Sequence, residues 1–249
     1  MPQISPEPPP ESAARPPLAR GYNVPRCATC GLPPAGCICA LTPHLASTAQ
    51  FWILIHPDEQ RKPTNTARLI AAALPQSRLF PWYRTAPPAA LLELLGDPQF
   101  APYLLHPQGD TALLGALQER PWLPQRVPAF LLLDGTWSQA SKMLNKSPYL
   151  HGLPRLALLP RTPSRYLLRR QRHCTHLSTV EVAIALLAEL EPPPCSELLQ
   201  AYFHVFTAHC LAARHGHGVR PPLPDLARLL AYKQATQERD AYGTPPHPG

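Results

Sequence analysis

Apolar segments of strand length recur along the chain and alternate with stretches of helical periodicity. FWILIH (51–56) and PAFLLLDG (128–135) are continuously apolar, which is typical of strands buried on both faces of a parallel sheet. Shorter strands are predicted at PYLLHP (102–107) and RLALLP (155–160). We expect SRLFPWY (77–83) at a sheet edge, because Pro81 has no N–H to donate to a neighbouring strand.

Helical patterns fill the intervals between these strands. They cover residues 66–74, 87–95, 111–120, 137–144, 178–191 and 196–216. The alternation predicts an α/β fold, with a mostly parallel sheet covered by helices on both faces. Because ligands of such folds bind beyond the carboxyl ends of the strands, the residues that follow 51–56 and 128–135 are the first candidates for a site.

The strand at 128–135 runs directly into an acid and an indole, Asp134 and Trp137. Thr136 and Gln139 fit a capping box for the next helix, and Gly135 permits a tight turn. A purely structural role for this stretch therefore stays open beside a role in binding or catalysis.

Two further polar stretches lie at predicted element ends. Ser178 and Glu181 have capping-box spacing, which favours a structural role, although the N–H groups of that helix would also suit a carboxylate or phosphate. HPDEQRKPTNTARL follows the strand at 51–56, and Asn65 or Thr66 is a suitable helix N-cap. His56 is either a strand-end residue or a catalytic histidine, for which the sequence identifies no partner.

Four cysteines lie close together in RCATCGLPPAGCICA, with the spacing C-x2-C-x6-C-x-C. Thiolates separated by Gly and Pro turns can surround a tetrahedral ion, and this short polar segment cannot bury a core of its own. A redox pair would need only two of the cysteines. We predict a structural zinc site formed by Cys27, Cys30, Cys37 and Cys39.

Composition bounds the organisation of the 249-residue chain, which contains 36 prolines and has a formal net charge of +7. Pro-rich ends predict disordered tails at 1–24 and 236–249, which flank the cysteine segment (25–45) and a main domain (46–235). The sequence contains no apolar run of membrane-spanning length and no signal peptide. We therefore expect no membrane association and a cytoplasmic protein with reduced cysteines.

A basic stretch, RTPSRYLLRRQRHCTH (161–176), carries five arginines and no acid. Arginine side chains bind phosphates, and an aromatic ring can stack on a base. Together with the positive net charge, this favours contact with RNA over a merely solvated basic face. The predicted RNA-binding residues are Arg161, Arg165, Tyr166, Arg169, Arg170, Arg172 and Lys142.

In combination, these motifs resemble the DTW domain family, named for D-x-T-W, here Asp134 to Trp137. The cysteine spacing, HPDE with TNTARL, PSRYLLRR and LSTVEVA occur in the family's order over residues 26 to about 190. The resemblance implies a SPOUT-like α/β fold with a knotted C-terminal half that holds S-adenosylmethionine. The bacterial members with the cysteine cluster are tRNA-uridine aminocarboxypropyltransferases, which form acp3U at N3 of a uridine and leave methylthioadenosine.

The resemblance, taken with the strand-end positions, leads to a set of site predictions. Asp134 is the predicted catalytic residue, either as the general base for uridine N3 or as the partner of the cofactor's ammonium group. The predicted S-adenosylmethionine site comprises Asp134, Gly135, Thr136, Trp137, Pro160, Ser178, Thr179 and Glu181. Tail 1–24 lies outside the resemblance, residues after 192 match it weakly, and the oligomeric state stays open.

Three alternatives to tRNA aminocarboxypropyl transfer remain at this point. A SPOUT-type RNA methyltransferase would use the same cofactor but transfer the methyl group. An aminocarboxypropyltransferase for ribosomal RNA would use the same carbon, although such relatives lack the cysteine cluster. A non-catalytic zinc-containing RNA-binding module would need no polar groups at the strand ends.

Overall fold

The computed structural model describes residues 24–119, 126–158, 164, 166, 168, 177–191, 193–216 and 218–242. Within these residues the chain forms a five-stranded sheet in which each neighbouring pair of strands is parallel. The strands are β1 (Gln50–Ile55), β2 (Arg78–Pro81), β3 (Phe100–Asp110), β4 (Val127–Asp134) and β5 (Arg155–Leu156), in the order β2-β1-β4-β3-β5. The predicted parallel α/β fold is confirmed.

Strands β1 and β4 form the centre of the sheet, as their continuous apolar sequences predict. Five of the six residues of β1 and six of the eight residues of β4 are buried. Their register pairs Ile55 with Asp134, so both strands end at the same level of the sheet. The edge position of β2 is confirmed, and Pro81 is its last residue.

Eight α-helices connect and cover the strands in the described part of the chain. They are α1 (Pro57–Gln60), α2 (Ala67–Ala73), α3 (Ala89–Gly96), α4 (Ala112–Glu119), α5 (Trp137–Asn145), α6 (Thr179–Leu190), α7 (Cys195–His215) and α8 (Leu223–Tyr242). None of these helices is both long and apolar enough to cross a membrane.

Alternate residues of the central strands face two separate apolar cores. Phe51 and Phe130 belong to a core that includes side chains of α2, α6 and α7. Trp52 and Leu131 belong to a second core with side chains of α3 and α5. Helices therefore cover both faces, which explains why these strands carry no alternating polar positions.

The cysteine segment packs directly on the first of these cores. Cys30, Leu32 and Ile38 are each 1% exposed and contact the same cluster as the residues of α6 and α7. Short 3-10 turns at Pro34–Gly36 and Cys39–Leu41 bring the four cysteines back towards one another. The segment is thus held against the main domain by apolar contacts as well as by its own turns.

Helix α8 was not predicted, and it continues to Tyr242, inside the segment predicted as a tail from residue 236. That prediction is wrong for residues 236–242, while residues 1–23 and 243–249 lie outside the described residues. Leu229 is fully buried, and Asp225 lies 3.0 Å from Nδ1 of His204 on α7. Once this first half is anchored, good helix formers in QATQER extend the helix without further apolar contacts.

Candidate functional site

Asp134, the last residue of β4, joins three separate parts of the chain. Its side chain is nearly inaccessible, with 2% of the residue exposed. Oδ2 accepts a hydrogen bond of 2.5 Å from Nδ2 of Asn65, and Oδ1 accepts one from the hydroxyl of Thr179. The carboxylate therefore connects the end of β4 to the loop before α2 and to the first turn of α6. We call Asp134, Asn65 and Thr179 the carboxylate hub.

The loop before α2 is held in place by several other contacts. Oδ1 of Asn65 accepts from the backbone N–H of Ala67 at 3.1 Å, which leaves Nδ2 oriented towards Asp134. The hydroxyl of Thr66 accepts from the backbone N–H of Val180 at 3.4 Å. Asn65 and Thr66, which the sequence suggested only as N-caps, thus bring the start of α6 to the strand ends.

The turn after Asp134 confirms the predicted capping box. The hydroxyl of Thr136 accepts from the backbone N–H of Gln139 at 3.3 Å, and Oε1 of Gln139 accepts from the backbone N–H of Thr136 at 2.8 Å. Gly135 has little free space, since a Cβ there would lie 3.0 Å from that of Gln139. Trp137 is 51% exposed, so it is a surface residue at the site edge and does not belong to the core.

His56 follows β1 at the same edge of the sheet as Asp134. Its backbone N–H donates to the carbonyl of Asp134 at 2.9 Å. Nδ1 accepts from the backbone N–H of Asp58 at 3.3 Å, and the ring stacks on Trp82 with 5.6 Å between centroids and 24° between planes. Asp58 accepts from Nε2 of Gln139 at 3.2 Å, which links the HPDE stretch to the helix of the DTW motif.

The first turn of α6 confirms the second predicted capping box. Glu181 accepts from the backbone N–H of Ser178 at 2.7 Å, and its carboxylate also accepts from the hydroxyl of Ser164 at 2.8 Å. Glu181 therefore stabilises this turn and ties it to the segment before it. The predicted cofactor residues on α6 therefore have different contacts. Thr179 contacts Asp134, whereas Glu181 stabilises the start of the helix.

The predicted RNA-binding residues differ in whether the structure describes them and in how exposed they are. Tyr166 is a correction: it is 3% exposed, its ring packs against Phe203, and its hydroxyl donates to the carbonyl of Thr64. A buried ring cannot stack on a base, so this side chain fixes the loop before α2. Lys142 is exposed on α5, and its role stays a prediction. The remaining predicted positions, Pro160, Arg161, Arg165, Arg169, Arg170 and Arg172, lie outside the described residues.

The four clustered cysteines converge as their spacing predicts. Their sulfur atoms all lie within 4.8 Å of one another. The Cys27–Cys39 pair is separated by 3.5 Å and the Cys30–Cys37 pair by 3.7 Å. Sulfurs at the corners of a tetrahedron around zinc would be about 3.8 Å apart, given Zn–S bonds of about 2.3 Å. The donor set and its spacing therefore fit a tetrahedral metal ion.

Without metal, these thiols have very different acidities. A hydrogen bond from the backbone of Cys30, with one from Cys39, lowers the pKa of Cys27 to about 6. Burial raises the pKa of Cys30 and raises that of Cys39 to about 12. Because metal binding requires thiolates, a cation at this site would have to displace protons from the buried thiols.

Arg68 lies between the cysteine segment and the carboxylate hub, and nothing in the sequence pattern singled it out. A Cβ on Gly31, which has φ of +74°, would lie 2.2 Å from Nη1 of Arg68. Nη2 donates to the carbonyl of Lys62 at 3.2 Å. Burial lowers the pKa of Arg68, while Cys30 and Asp134 act in the opposite direction. Arg68 is the one charged residue of α2, ARLIAAA, and that is the signal that could have identified it.

The fold and site define an α/β protein with a polar site at the carboxyl ends of parallel strands and a four-cysteine cluster beside it. The model of the DTW domain matches residues 24–211. The chain therefore belongs to the DTW domain family, and the resemblance seen in the motifs is confirmed.

Curated relatives carry the name of one enzyme. The chain is 32% identical over 180 residues to tRNA-uridine aminocarboxypropyltransferase 2 of Drosophila melanogaster, with 68% of each chain covered. It is 29% identical to the Macaca fascicularis protein of that name and 28% identical to that of Mus musculus. These matches cover 70% and 72% of this chain, but only 59% and 61% of the two relatives. No solved structure matches the chain significantly.

Proposed function

We propose that this protein is a tRNA-uridine aminocarboxypropyltransferase, which moves the 3-amino-3-carboxypropyl group of S-adenosylmethionine to N3 of a uridine in tRNA. The observation that carries the proposal is the DTW motif placed at the carboxyl ends of β1 and β4, in a chain similar to three enzymes of that name. The products would be acp3U and methylthioadenosine.

The chemistry requires a particular pose of the sulfonium. N3 of the uracil loses its proton to solvent water, its electron pair forms a bond to the γ-carbon, the S–Cγ bond breaks, and that electron pair returns to sulfur as a neutral thioether. Any of three carbons on the sulfonium can react, so the one held in line with N3 at near-attack distance decides the product. The site must therefore present the γ-carbon and keep the methyl group away from N3.

Asp134 acts in this proposal as a positioning residue for the cofactor pocket. Both of its carboxylate oxygens accept hydrogen bonds from within the protein, and it is nearly inaccessible, which disfavours direct proton removal from N3. The hub brings the predicted cofactor residues Gly135 to Trp137 and Ser178 to Thr179 to one edge of the sheet. Trp137, half-exposed at this edge, supplies a flat apolar surface suited to adenine or a base.

The cysteine cluster holds a structural zinc ion in this proposal. Four protein thiolates would fill all coordination positions, so no position remains for a reacting group. The ion would supply folding energy to the segment that packs on α7. Reduced thiols of this kind fit a cytoplasmic protein, which we also propose.

Contacts to tRNA are proposed for the exposed Lys142 and for the arginines of 161–172. The formal net charge of +7 supports an anionic partner, and phosphate contacts of this kind position RNA without specifying sequence. The SPOUT-like relationship, including a C-terminal knot, stays part of the proposal.

Nucleoside mass spectrometry of tRNA incubated with the protein and S-adenosylmethionine tests the proposed function. The expected result is a new acp-uridine in the tRNA, together with methylthioadenosine. Methylated nucleoside with S-adenosylhomocysteine would replace the proposal with a methyltransferase. Modification of ribosomal RNA alone would change the substrate class, and absence of any thermal shift with S-adenosylmethionine would favour a binding module.

A further inference from the structure

His56 occupies a position at the strand ends that the proposed function leaves without a role. Its backbone pairs with Asp134, and its ring is fixed on one face by the indole of Trp82. Trp82 is itself fixed, because Nε1 donates to the hydroxyl of Ser147 at 3.0 Å. Only 14% of the His56 side chain is exposed. A ring held this firmly next to the hub is preorganised to contact a bound molecule.

The hydrogen bonds of His56 also determine which ring nitrogen carries the proton. Nδ1 accepts from the backbone N–H of Asp58 at 3.3 Å and lies 3.5 Å from Oδ2 of the same residue; with the backbone bond in place, the neutral ring carries its proton on Nε2. Within the described residues Nε2 has no hydrogen-bond partner, and it is not one of the buried, unsatisfied polar atoms. The ring therefore offers one N–H donor at the surface of the strand-end site.

We propose that His56 is a catalytic residue whose Nε2–H donates to an imide oxygen, O2 or O4, that flanks N3 of the target uracil. This inference rests on the proposed function. When N3 loses its proton, negative charge spreads to both oxygens, and a hydrogen bond to that charge favours the anion. A donor fixed in place beforehand stabilises the developing charge without reorganisation at the moment of reaction.

Two substitutions separate this role from the capping role of the same ring. Asparagine retains an acceptor near the position of Nδ1 and is a preferred N-cap, but it lacks a donor at the position of Nε2. Glutamine places its amide near the position of Nε2 instead. His56→Asn should lower kcat by on the order of 100-fold, the cost of losing one such donor, with unchanged binding of S-adenosylmethionine. His56→Gln should recover at least tenfold of that loss.

The chain offers a matched control for the asparagine variant. His106 also precedes a proline, and its Nδ1 accepts from the backbone N–H of Gln108 at 3.2 Å, as Nδ1 of His56 does from Asp58. It lies on β3, the neighbour of β4, and takes no part in the hydrogen bonds of the hub. His106→Asn should therefore leave kcat within about twofold of the original protein.

A tRNA that contains 5-fluorouridine provides the readout that a structural role would not change. Fluorine at C5 makes N3–H more acidic, so less help is needed for its ionisation. The defect of His56→Asn should be at least fivefold smaller on this tRNA than on unmodified tRNA. An equal defect on both substrates, or a weakened cofactor affinity that accounts for the loss, would overturn the proposal. Failure of the unsubstituted protein to form acp-uridine would instead refute the proposed function.

Discussion

Replacement of Asp134 should destabilise the protein because the carboxylate hub depends on it. Asp134→Ala leaves the buried amide of Asn65 and the half-buried hydroxyl of Thr179 without their acceptor. A buried group that loses its partner costs about 1–3 kcal/mol. With one buried and one half-buried group, we expect a loss of about 3 kcal/mol, which lowers the midpoint of thermal unfolding by roughly 6–12 °C in a domain of this size.

Asp134→Asn should have a smaller effect on stability. The new side-chain oxygen can accept from Asn65, and the new amide can donate to the hydroxyl of Thr179, so both contacts persist without the negative charge. We expect a loss of about 1–2 kcal/mol, since hydrogen bonds to a charged group are stronger than neutral ones. Asp134→Ala should lose most of its transferase activity, because the start of α6 and the loop before α2 no longer hold their relative positions. Asp134→Asn, in which both contacts persist, should lose less.

Urea and thermal unfolding measure these differences, with Asp110→Asn as the matched control. Asp110 is exposed, and its Oδ1 accepts from the backbone N–H of Ala112 at 2.8 Å, a bond that asparagine can replace. The control should stay within about 0.5 kcal/mol of the original protein. Equal stability of Asp134→Ala and Asp110→Asn would refute the hub. A double-mutant cycle with Thr179→Val should also show non-additivity of about 0.5–3 kcal/mol.

Three smaller predictions concern the cysteine segment and the DTW turn. Gly31→Ala should cost at least about 1–2 kcal/mol in unfolding free energy, because residue 31 has a positive φ and a Cβ would displace Arg68. Gly152→Ala, with open space around it, is the control, and equal stability of the two variants would contradict the packing. In metal-free protein at pH 7.5, iodoacetamide should modify Cys27 (pKa about 6) long before Cys210, whose pKa burial raises to about 12, because only thiolates react. Peptide mass spectrometry measures the order in which the two cysteines are modified. Added zinc should protect Cys27. Faster labelling of Cys210 than of Cys27 would contradict the predicted order. Thr136→Ala should lower stability by about 1 kcal/mol by removing the cap of α5, as measured by urea unfolding, and no change would argue against the capping box.

The sequence predicted the features that depend on neighbours along the chain. Continuous apolar runs identified β1 and β4, S/T-x-x-E/Q spacing identified both capping boxes, and cysteine spacing identified the cluster. Each of these signals arises within about 15 residues, where strand and helix geometry leaves few alternatives.

Local sequence patterns could not predict contacts between segments that are far apart in the chain. Asp134 meets Asn65 and Thr179 across 69 and 45 residues, and only the strand order decides that these segments are adjacent. The burial of Tyr166 also depends on a distant segment. Its arginine-rich neighbours in the sequence suggested a surface position, but its ring packs against Phe203 on α7. Helix α8 escaped prediction because the described side chains after Tyr232 are mostly polar and exposed.

The protein should transfer the carboxypropyl carbons of S-adenosylmethionine, and not the methyl group, to tRNA. Parallel reactions with cofactor labelled in the carboxyl carbon or in the methyl carbon measure this directly through the label recovered in the tRNA. We expect the carboxyl label to enter uridine and the methyl label to leave in methylthioadenosine. Methyl label in the tRNA, with carboxyl label left in S-adenosylhomocysteine, would contradict it.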